Sequence, residues 1–447
     1  MSYAAAIEQL NTLVSELYAG PGLARRKFSL DEIRVLLGPL DNPQRRFPSV
    51  LIAGTNGKGS TAATLASILT ASGLRTGLYT SPHLARANER IRIDRAEISD
   101  DAFAASYFRV HDAAQQLVLG GRLQQLPSYF EMLTAQAFLC FAEAPVDIAV
   151  LEVGMGGRLD ATNIADPILS VITDISFDHM EWLGSTIAEI AREKAGILRP
   201  HGTLITLPQH PEANQVLGEV AQALEVRGVS AAPYMPEIGA PAAEPYRINA
   251  LGATIEVNSP LKGVHQHRNI SLAIAAAAEL AENHGFPILP ASIAAGIRQT
   301  VWPARLERIS ARGHDWVLDV AHNPAGAWAL RAGLRDTEAG HPPQTLIFSC
   351  LRDKPILELA QILFPIFERV IFAPIHSSRA ADRDDLLAAA ETTGTPAVAA
   401  NSVAEALRLA TGKHDPRVAE GPVVISGSLY LVGEARSLLL DGGDCRP

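Results

Sequence analysis

Val50-Leu51-Ile52-Ala53-Gly54-Thr55-Asn56-Gly57-Lys58-Gly59-Ser60-Thr61 is the stretch from which the rest of the chain is read. Four apolar residues run into a loop rich in glycine with one lysine, and then into the helix-compatible segment Ala62 to Ser72, which predicts a strand, a phosphate loop and a helix. Glycines let backbone N–H groups turn towards an anion, the helix N-terminus adds partial positive charge, and Lys58 adds a full one. A nucleoside triphosphate suits such a loop. Ile52 stands where the standard phosphate-loop pattern has its first glycine, and Gly59 separates Lys58 from Ser60, so the pattern is a variant. A tight structural turn would use the glycines too, but it has no need of a lysine and two hydroxyls beside them.

A chain of 447 residues is too long for one core and predicts two or three domains. With 47% hydrophobic and 19% charged residues it has the make-up of an ordinary globular protein. A net charge of −10 argues against a nucleic-acid surface, and an anionic substrate would have to be met by local basic residues. Cys140, Cys350 and Cys445 fit neither a zinc spacing nor a disulfide framework, so a reducing, cytoplasmic compartment is expected. Glu8, Gln9, Asn11 and Glu16 interrupt the apolar positions of Met1 to Tyr18, which therefore reads as neither a signal peptide nor a membrane span.

In chain order, residues 3–18 predict an amphipathic helix, and Phe28 to Glu32 a second helix start with Ser29 as N-cap and Glu32 three places on. Leu78 to Thr80 ends a short strand, followed by a polar loop with Ser81-Pro82-His83-Leu84 and Asn88-Glu89-Arg90-Ile91. Helices are expected over Phe103 to Leu119 and Tyr129 to Glu143; spacing puts Phe130 on the core face of the second. Asp147 to Val153 reads as a strand buried on both faces until Glu152, where a carboxylate at the carboxyl end needs a cation or donor. Ile168 to Ile175 repeats the pattern and ends in Ser176-Phe177-Asp178-His179. His179 gains weight only by lying at the same sheet edge as Lys58 and Glu152. The helix Thr186 to Leu198 carries Lys194, which by pattern alone reads as a solvated lysine. After a strand at Thr203 to Leu207, residues 230–246 read as a surface loop, and Leu261 to Asn269 opens an Ala-rich helix over 270–283. The expected domains are 1–299 and 306–447, joined by a linker at 300–305. Strands in the second are expected at Trp316 to Val320, Thr345 to Phe348, Val370 to Ala373 and Val423 to Ser426.

Taken together, Gly54 to Ser60, Ser81-Pro82-His83-Leu84, Leu151 to Asn163, Asp178-His179, Glu193-Lys194-Ala195-Gly196-Ile197, His265-Gln266 with Asn269, Pro303-Ala304-Arg305 and Asp319 with His322-Asn323-Pro324 resemble the folylpolyglutamate synthase/dihydrofolate synthase family of the Mur ligase superfamily. The likeness runs from the first helix to Gly427-Ser428-Leu429-Tyr430. Met155 stands where leucine is usual, Val320 where glycine is usual, and Ala304 where glycine is frequent. The fold implied is α/β: an N-terminal P-loop ATPase-type, mostly parallel sheet with helices on both faces, and a smaller C-terminal Rossmann-like domain.

The resemblance also implies a chemistry. ATP would phosphorylate a carboxylate of dihydropteroate or a folate, and the amine of L-glutamate would displace the phosphate to leave an amide. Gly54, Thr55, Asn56, Gly57, Lys58, Gly59, Ser60, Asn269, Arg305 and Asp319 would hold ATP. Two magnesium ions are implied, one on Ser81 and Glu152, the other on His179 and a carbamylated Lys194. Imidazole suits manganese at least as well as magnesium, so a manganese-tolerant site is expected. A carbamate also reverses the bland reading of Lys194, since an ammonium beside divalent cations is electrostatically wrong. Phe28, Ser29, Leu30, Phe130 and Asp160 would line the acceptor site. Small-molecule partners and a monomer are expected, without nucleic acid or membrane.

Rival readings separate on simple features. A cell-wall Mur ligase would carry an extra N-terminal domain, and about 48 residues before the loop are too few for one. A GTPase-like switch would carry an N-K-x-D motif, which is absent. A P-loop kinase would stop at phosphorylation and form no amide.

Overall fold

The computed structural model describes residues 2–13, 29–237, 244–335, 344–411 and 421–440. They divide into two compact units. The first comprises the described residues before 238 with Pro245–Asn258 and Arg268–Val301; the second comprises Glu244, Ser259–His267 and the described residues from Trp302 onward.

The first unit is built on eight strands: β1 (Ser49–Ala53), β2 (Thr76–Tyr79), β3 (Ile91–Ile93), β4 (Ala96–Glu97), β5 (Ile148–Glu152), β6 (Leu169–Ile172), β7 (Thr203–Thr206) and β8 (Arg227–Ser230). Their order is β4-β3-β2-β5-β1-β6-β7-β8, with only the β2–β3 and β3–β4 pairs antiparallel. Both faces of the central strands are buried, which explains their near-continuous apolar runs. Leu51 and Ala53 of β1, with Ala149 and Leu151 of β5, join the core under the helices Asp100–Leu119 and Tyr129–Glu143. Val50, Ile52, Ile148 and Val150 point the other way, into the core formed with the helices Lys58–Ala71, Val264–His284 and Pro290–Arg298. Each fully buried aliphatic side chain of this kind stabilises by about 1.5–3 kcal/mol. A hairpin, β9 (Tyr246–Ala250) and β10 (Ala253–Val257), packs on the second face.

The second unit has a six-stranded sheet: β11 (Glu307–Ala311), β12 (His314–Leu318), β13 (Thr345–Phe348), β14 (Arg369–Phe372), β15 (Ala397–Ala399) and β16 (Val423–Ser426). Its order is β11-β12-β16-β13-β14-β15, parallel except for β11. The α/β class expected from sequence is therefore present in both units.

Several boundaries differ from expectation. The helix after the phosphate loop starts at Lys58, not near Ala62, because Gly57 at φ +90° turns the chain directly into it. The first helix spans Tyr3–Thr12, and the rest of its expected range, with Phe28, lies outside the described residues. At the second helix the N-cap position falls on Leu30, not Ser29; the Ser29 hydroxyl instead accepts from the Asp31 amide (3.1 Å) and donates to the Asp31 carboxylate (2.8 Å). The segment read as a polar loop up to Ile91 runs into the β3–β4 hairpin. The segment from Leu261 to Asn269 is largely helical, since that helix begins at Val264.

Candidate active site

Parallel strands deliver their carboxyl ends to one edge, and in the first unit β1, β2, β5 and β6 bring the sequence-predicted residues there. The phosphate loop is held by the chain that follows β6. Thr55 N and Asn56 N donate to the Asp174 carbonyl (2.8 and 3.2 Å), while the Thr55 hydroxyl donates to Ser176 O (3.0 Å) and accepts from Ser176 N (3.1 Å). Asp174 is itself clamped, since its carboxylate accepts from Arg268 Nε (2.9 and 2.8 Å), and Arg268 also donates to Pro208 O (2.9 Å). Gln209 adds a further brace by accepting from Ile175 N (2.8 Å). Next to Arg268, Asn269 lies so close to the loop that a Cβ on Gly57 would sit 2.1 Å from its Oδ1. Only glycine fits there, on grounds of both space and positive φ.

The two lysines singled out in the sequence meet at one atom. Lys58 Nζ donates to Gly54 O (3.1 Å) and Thr55 O (3.2 Å), and Lys194 Nζ donates to the same Gly54 carbonyl (2.8 Å). Lys194 is 3% exposed, so the reading of it as a solvated lysine is wrong. The helix Ile187–Ala195 aims it inward because Thr186 and Glu189 cap the helix reciprocally and Ile187, Ile190 and Ala191 bury the same face. Burial, and next the positive charge of Lys58, pushes the Lys194 amine from its ordinary 10.5 down to about 7, while Asp178 and Asp160 act in the opposite direction.

Beside this pair, Ser81 N donates to Glu152 Oε2 (3.2 Å), and the Ser81 hydroxyl is buried without a hydrogen-bond partner among the described residues. His179 takes φ +51° at the start of a short helix, with Nε2 3.9 Å from Asp178 Oδ2. Among the described residues no three His, Cys, Asp or Glu side chains are grouped to hold a metal ion. A cation here would draw on Glu152 and His179 together with the Ser81 oxygen and a modified Lys194.

Phe130 is a core residue, as its spacing predicted, yet its ring edge also borders the edge loop: a Cβ on Gly154 would stand 2.7 Å from it and 3.2 Å from Asp160 Oδ2. Asp160 accepts from Met155 N (2.9 Å) and Thr162 N (3.0 Å), and its burial raises its pKa against those hydrogen bonds. Leu30 packs against the same core. The sequence reading passed over two arginines. Arg268 could have been suspected from its place beside Asn269, and Arg90 from a basic residue amid a loop next to Ser81.

Arg305 and Asp319 belong to the second unit. Asp319 accepts from Leu306 N (2.9 Å) and Ala321 N (2.9 Å), which shapes the turn carrying Arg305. Ala304 sits at φ +57°, in the left-handed region where glycine costs least, and its carbonyl accepts from Val320 N (3.2 Å). The two departures from the glycine pattern are thus neighbours.

Comparison with known proteins identifies the family. Residues 52–277 match the Mur ligase middle domain, and residues 304–429 the Mur ligase glutamate ligase domain. The chain is 37% identical over 438 residues to the dihydrofolate synthase/folylpolyglutamate synthase of Mycobacterium tuberculosis, covering 92% of this chain and 90% of that one. It is 34% identical over 432 residues to the folylpolyglutamate synthase of Lacticaseibacillus casei, covering 92% and 94%. The chain belongs to the folylpolyglutamate synthase family of Mur ligases. Family members of known structure share the architecture. The Mycobacterium tuberculosis folylpolyglutamate synthase complexed with ADP and AMPPCP superposes with a TM-score of 0.85 at 34% identity, over 99% of this chain and 100% of that one. The Escherichia coli FolC complex with DHPP and ADP gives 0.82 at 29%, over 99% and 98%. No helix among the described residues is long and apolar enough to cross a membrane.

Proposed function

We propose that this chain is an ATP-dependent ligase that joins L-glutamate to dihydropteroate and to folates through an acyl phosphate. The observation that carries the reading is the meeting of Lys58 and Lys194 at the Gly54 carbonyl, with Ser81 and Glu152 on neighbouring strand ends. Lys58 and the loop amides from Gly54 to Ser60 hold the triphosphate, with Asn269 against the loop; Arg305 and Asp319 are assigned to ATP as well. An oxygen of the acceptor carboxylate attacks the γ-phosphorus, and the bond to ADP breaks. The glutamate nitrogen then attacks the acyl carbon, phosphate leaves with the bonding pair, and the nitrogen gives up a proton.

Ser81 and Glu152 fit a first magnesium ion, because the buried Ser81 oxygen has no other partner among the described residues. His179 and Lys194, as its carbamate, fit a second. An amine pushed down to about 7 has a substantial neutral fraction at physiological pH, the form that adds carbon dioxide. Such ions supply charge neutralisation at the transferring phosphoryl group. Ser29, Leu30, Phe130 and Asp160, with Phe28, line the acceptor site in this reading. A monomer belongs to the same reading, and Cys140 and Cys350 are free and buried, which suits the reducing cytoplasm.

Product masses after incubation with ATP, L-glutamate and either dihydropteroate or tetrahydrofolate test the proposal. Each acceptor should gain glutamyl residues with ADP and phosphate released, and Lys58→Ala should abolish both while retaining the fold. A phosphorylated acceptor without amide would make the protein a kinase, and no turnover of either acceptor would overturn the reading.

A further inference from the structure

Arg90 differs from the arginines near it in sequence. Arg86 pairs with Asp100, Arg92 with Glu97 and Arg109 with Glu143, and none of these three is buried. Arg90 is 7% exposed, and among the described residues no carboxylate pairs with it. Its Nε donates to His83 Nδ1 (2.9 Å), and its guanidinium lies over the Tyr129 ring, 5.3 Å from the centroid. A ring nitrogen that accepts a hydrogen bond brings no negative charge, and a π face attracts the cation without satisfying its terminal N–H groups. Among the described residues, then, Nη1 and Nη2 have no acceptor, and neither is sealed from solvent, so the open end of a largely buried guanidinium is left to a ligand.

The position indicates which anion. Thr80 N donates to Arg90 O (3.0 Å), one residue before Ser81, whose amide meets Glu152 (3.2 Å). On the other side Tyr129 opens the helix whose next residue, Phe130, borders Gly154. Arg90 is thereby held between the strand ends assigned to phosphoryl transfer and the aromatic residues assigned to the acceptor. We propose that Arg90 binds the carboxylate of the pteroate or folate acceptor through its two terminal nitrogens, presenting that carboxylate for phosphorylation. The fork geometry of a guanidinium matches a carboxylate in two parallel hydrogen bonds, and His83 and Tyr129 fix the fork before the substrate arrives. This rests on the ligase reading above.

The test uses the full chain with Arg90→Gln and Arg90→Lys, steady-state kinetics on each substrate, and binding of dihydropteroate against its carboxamide by thermal shift. In Arg90→Gln the KM for dihydropteroate should rise between about 10- and 100-fold, the loss of charge-assisted hydrogen bonds, while the KM for ATP stays within about threefold. The parent should prefer carboxylate to carboxamide by a similar factor, and Arg90→Gln should not discriminate. Arg90→Lys should recover part of the affinity and serves if the glutamine variant fails to fold. A rise confined to the KM of ATP or of L-glutamate would reassign the anion and overturn the proposal. So would unchanged kinetics in a folded variant, or a parent that binds the carboxamide equally well. A parent that forms no amide at all would instead sink the ligase reading, which the carboxylate-against-carboxamide binding comparison keeps separate.

Discussion

Lys194 shows how far a single residue can depart from what its local pattern says. Its neighbours Glu193 and Arg192 are polar, and only the fold reveals that Ile187, Ile190 and Ala191 turn its face inward. Spacing located the helix correctly and placed the lysine wrongly, whereas the family motif had already assigned it to a site. Its burial has a consequence for stability. The folded-state value is depressed to about 7 from 10.5, so the unfolded chain binds more protons across that interval, and stability should rise with pH between those values. In buffer free of carbon dioxide, chemical denaturation of the parent and of Lys194→Met should show the parent gaining on the variant through that window. A difference independent of pH would mean that the amine is not depressed. If Lys194 works as a carbamate, Lys194→Ala should lose activity by orders of magnitude and millimolar formate or acetate should restore part of it, by supplying the missing oxygens. Rescue by methylamine alone, or full activity without rescue, would exclude the carbamate.

Elements were legible where burial on both faces wrote long apolar runs. β1, β5, β13 and β16 could be read almost to the residue, as could the helix Tyr129–Glu143 with its Ser128–Glu131 capping box. The short antiparallel pieces β3, β4, β9, β10 and β11 were missed, because two- to five-residue strands with an exposed face carry too little apolar pattern. What sequence could not show at this scale is how elements brace one another. The chain after β6 holds the phosphate loop through the Asp174 carbonyl, and the Asp174 carboxylate is held by Arg268 beside Asn269. Arg268→Ala and Asp174→Asn should therefore each raise the KM for ATP about tenfold, as loss of a supporting hydrogen bond typically does, and leave the KM for L-glutamate unchanged. The double variant should be no worse than Arg268→Ala alone, because that substitution already removes the contact with Asp174 along with the one to Pro208 O. Additive losses, or parallel rises in every KM, would show that the pair serves general stability and not the loop.

At the scale of the whole molecule, two separate cores make a thermodynamic prediction. The first unit buries its residues on two faces of an eight-stranded sheet, and the second surrounds a six-stranded one, so each has apolar clusters of its own. Calorimetry of the full chain should resolve two transitions, since chains of this size often unfold unit by unit. AMPPCP with magnesium binds only folded protein in this scheme, and at a hundredfold excess over its Kd should add about 2.7 kcal/mol to whatever holds it. Lys58 and Asn269 place that gain on the first transition. If Arg305 also contacts the nucleotide, as its motif implies, the second transition should rise as well, and Arg305→Ala should cancel the second shift while sparing the first. Arg305 is the informative choice, because Asp319 accepts from Leu306 N and Ala321 N, and its removal would disturb the turn itself. A second transition that ignores the nucleotide in the parent would remove Arg305 from the ATP site, and a shift that survives Arg305→Ala would pass the role to another residue of that unit.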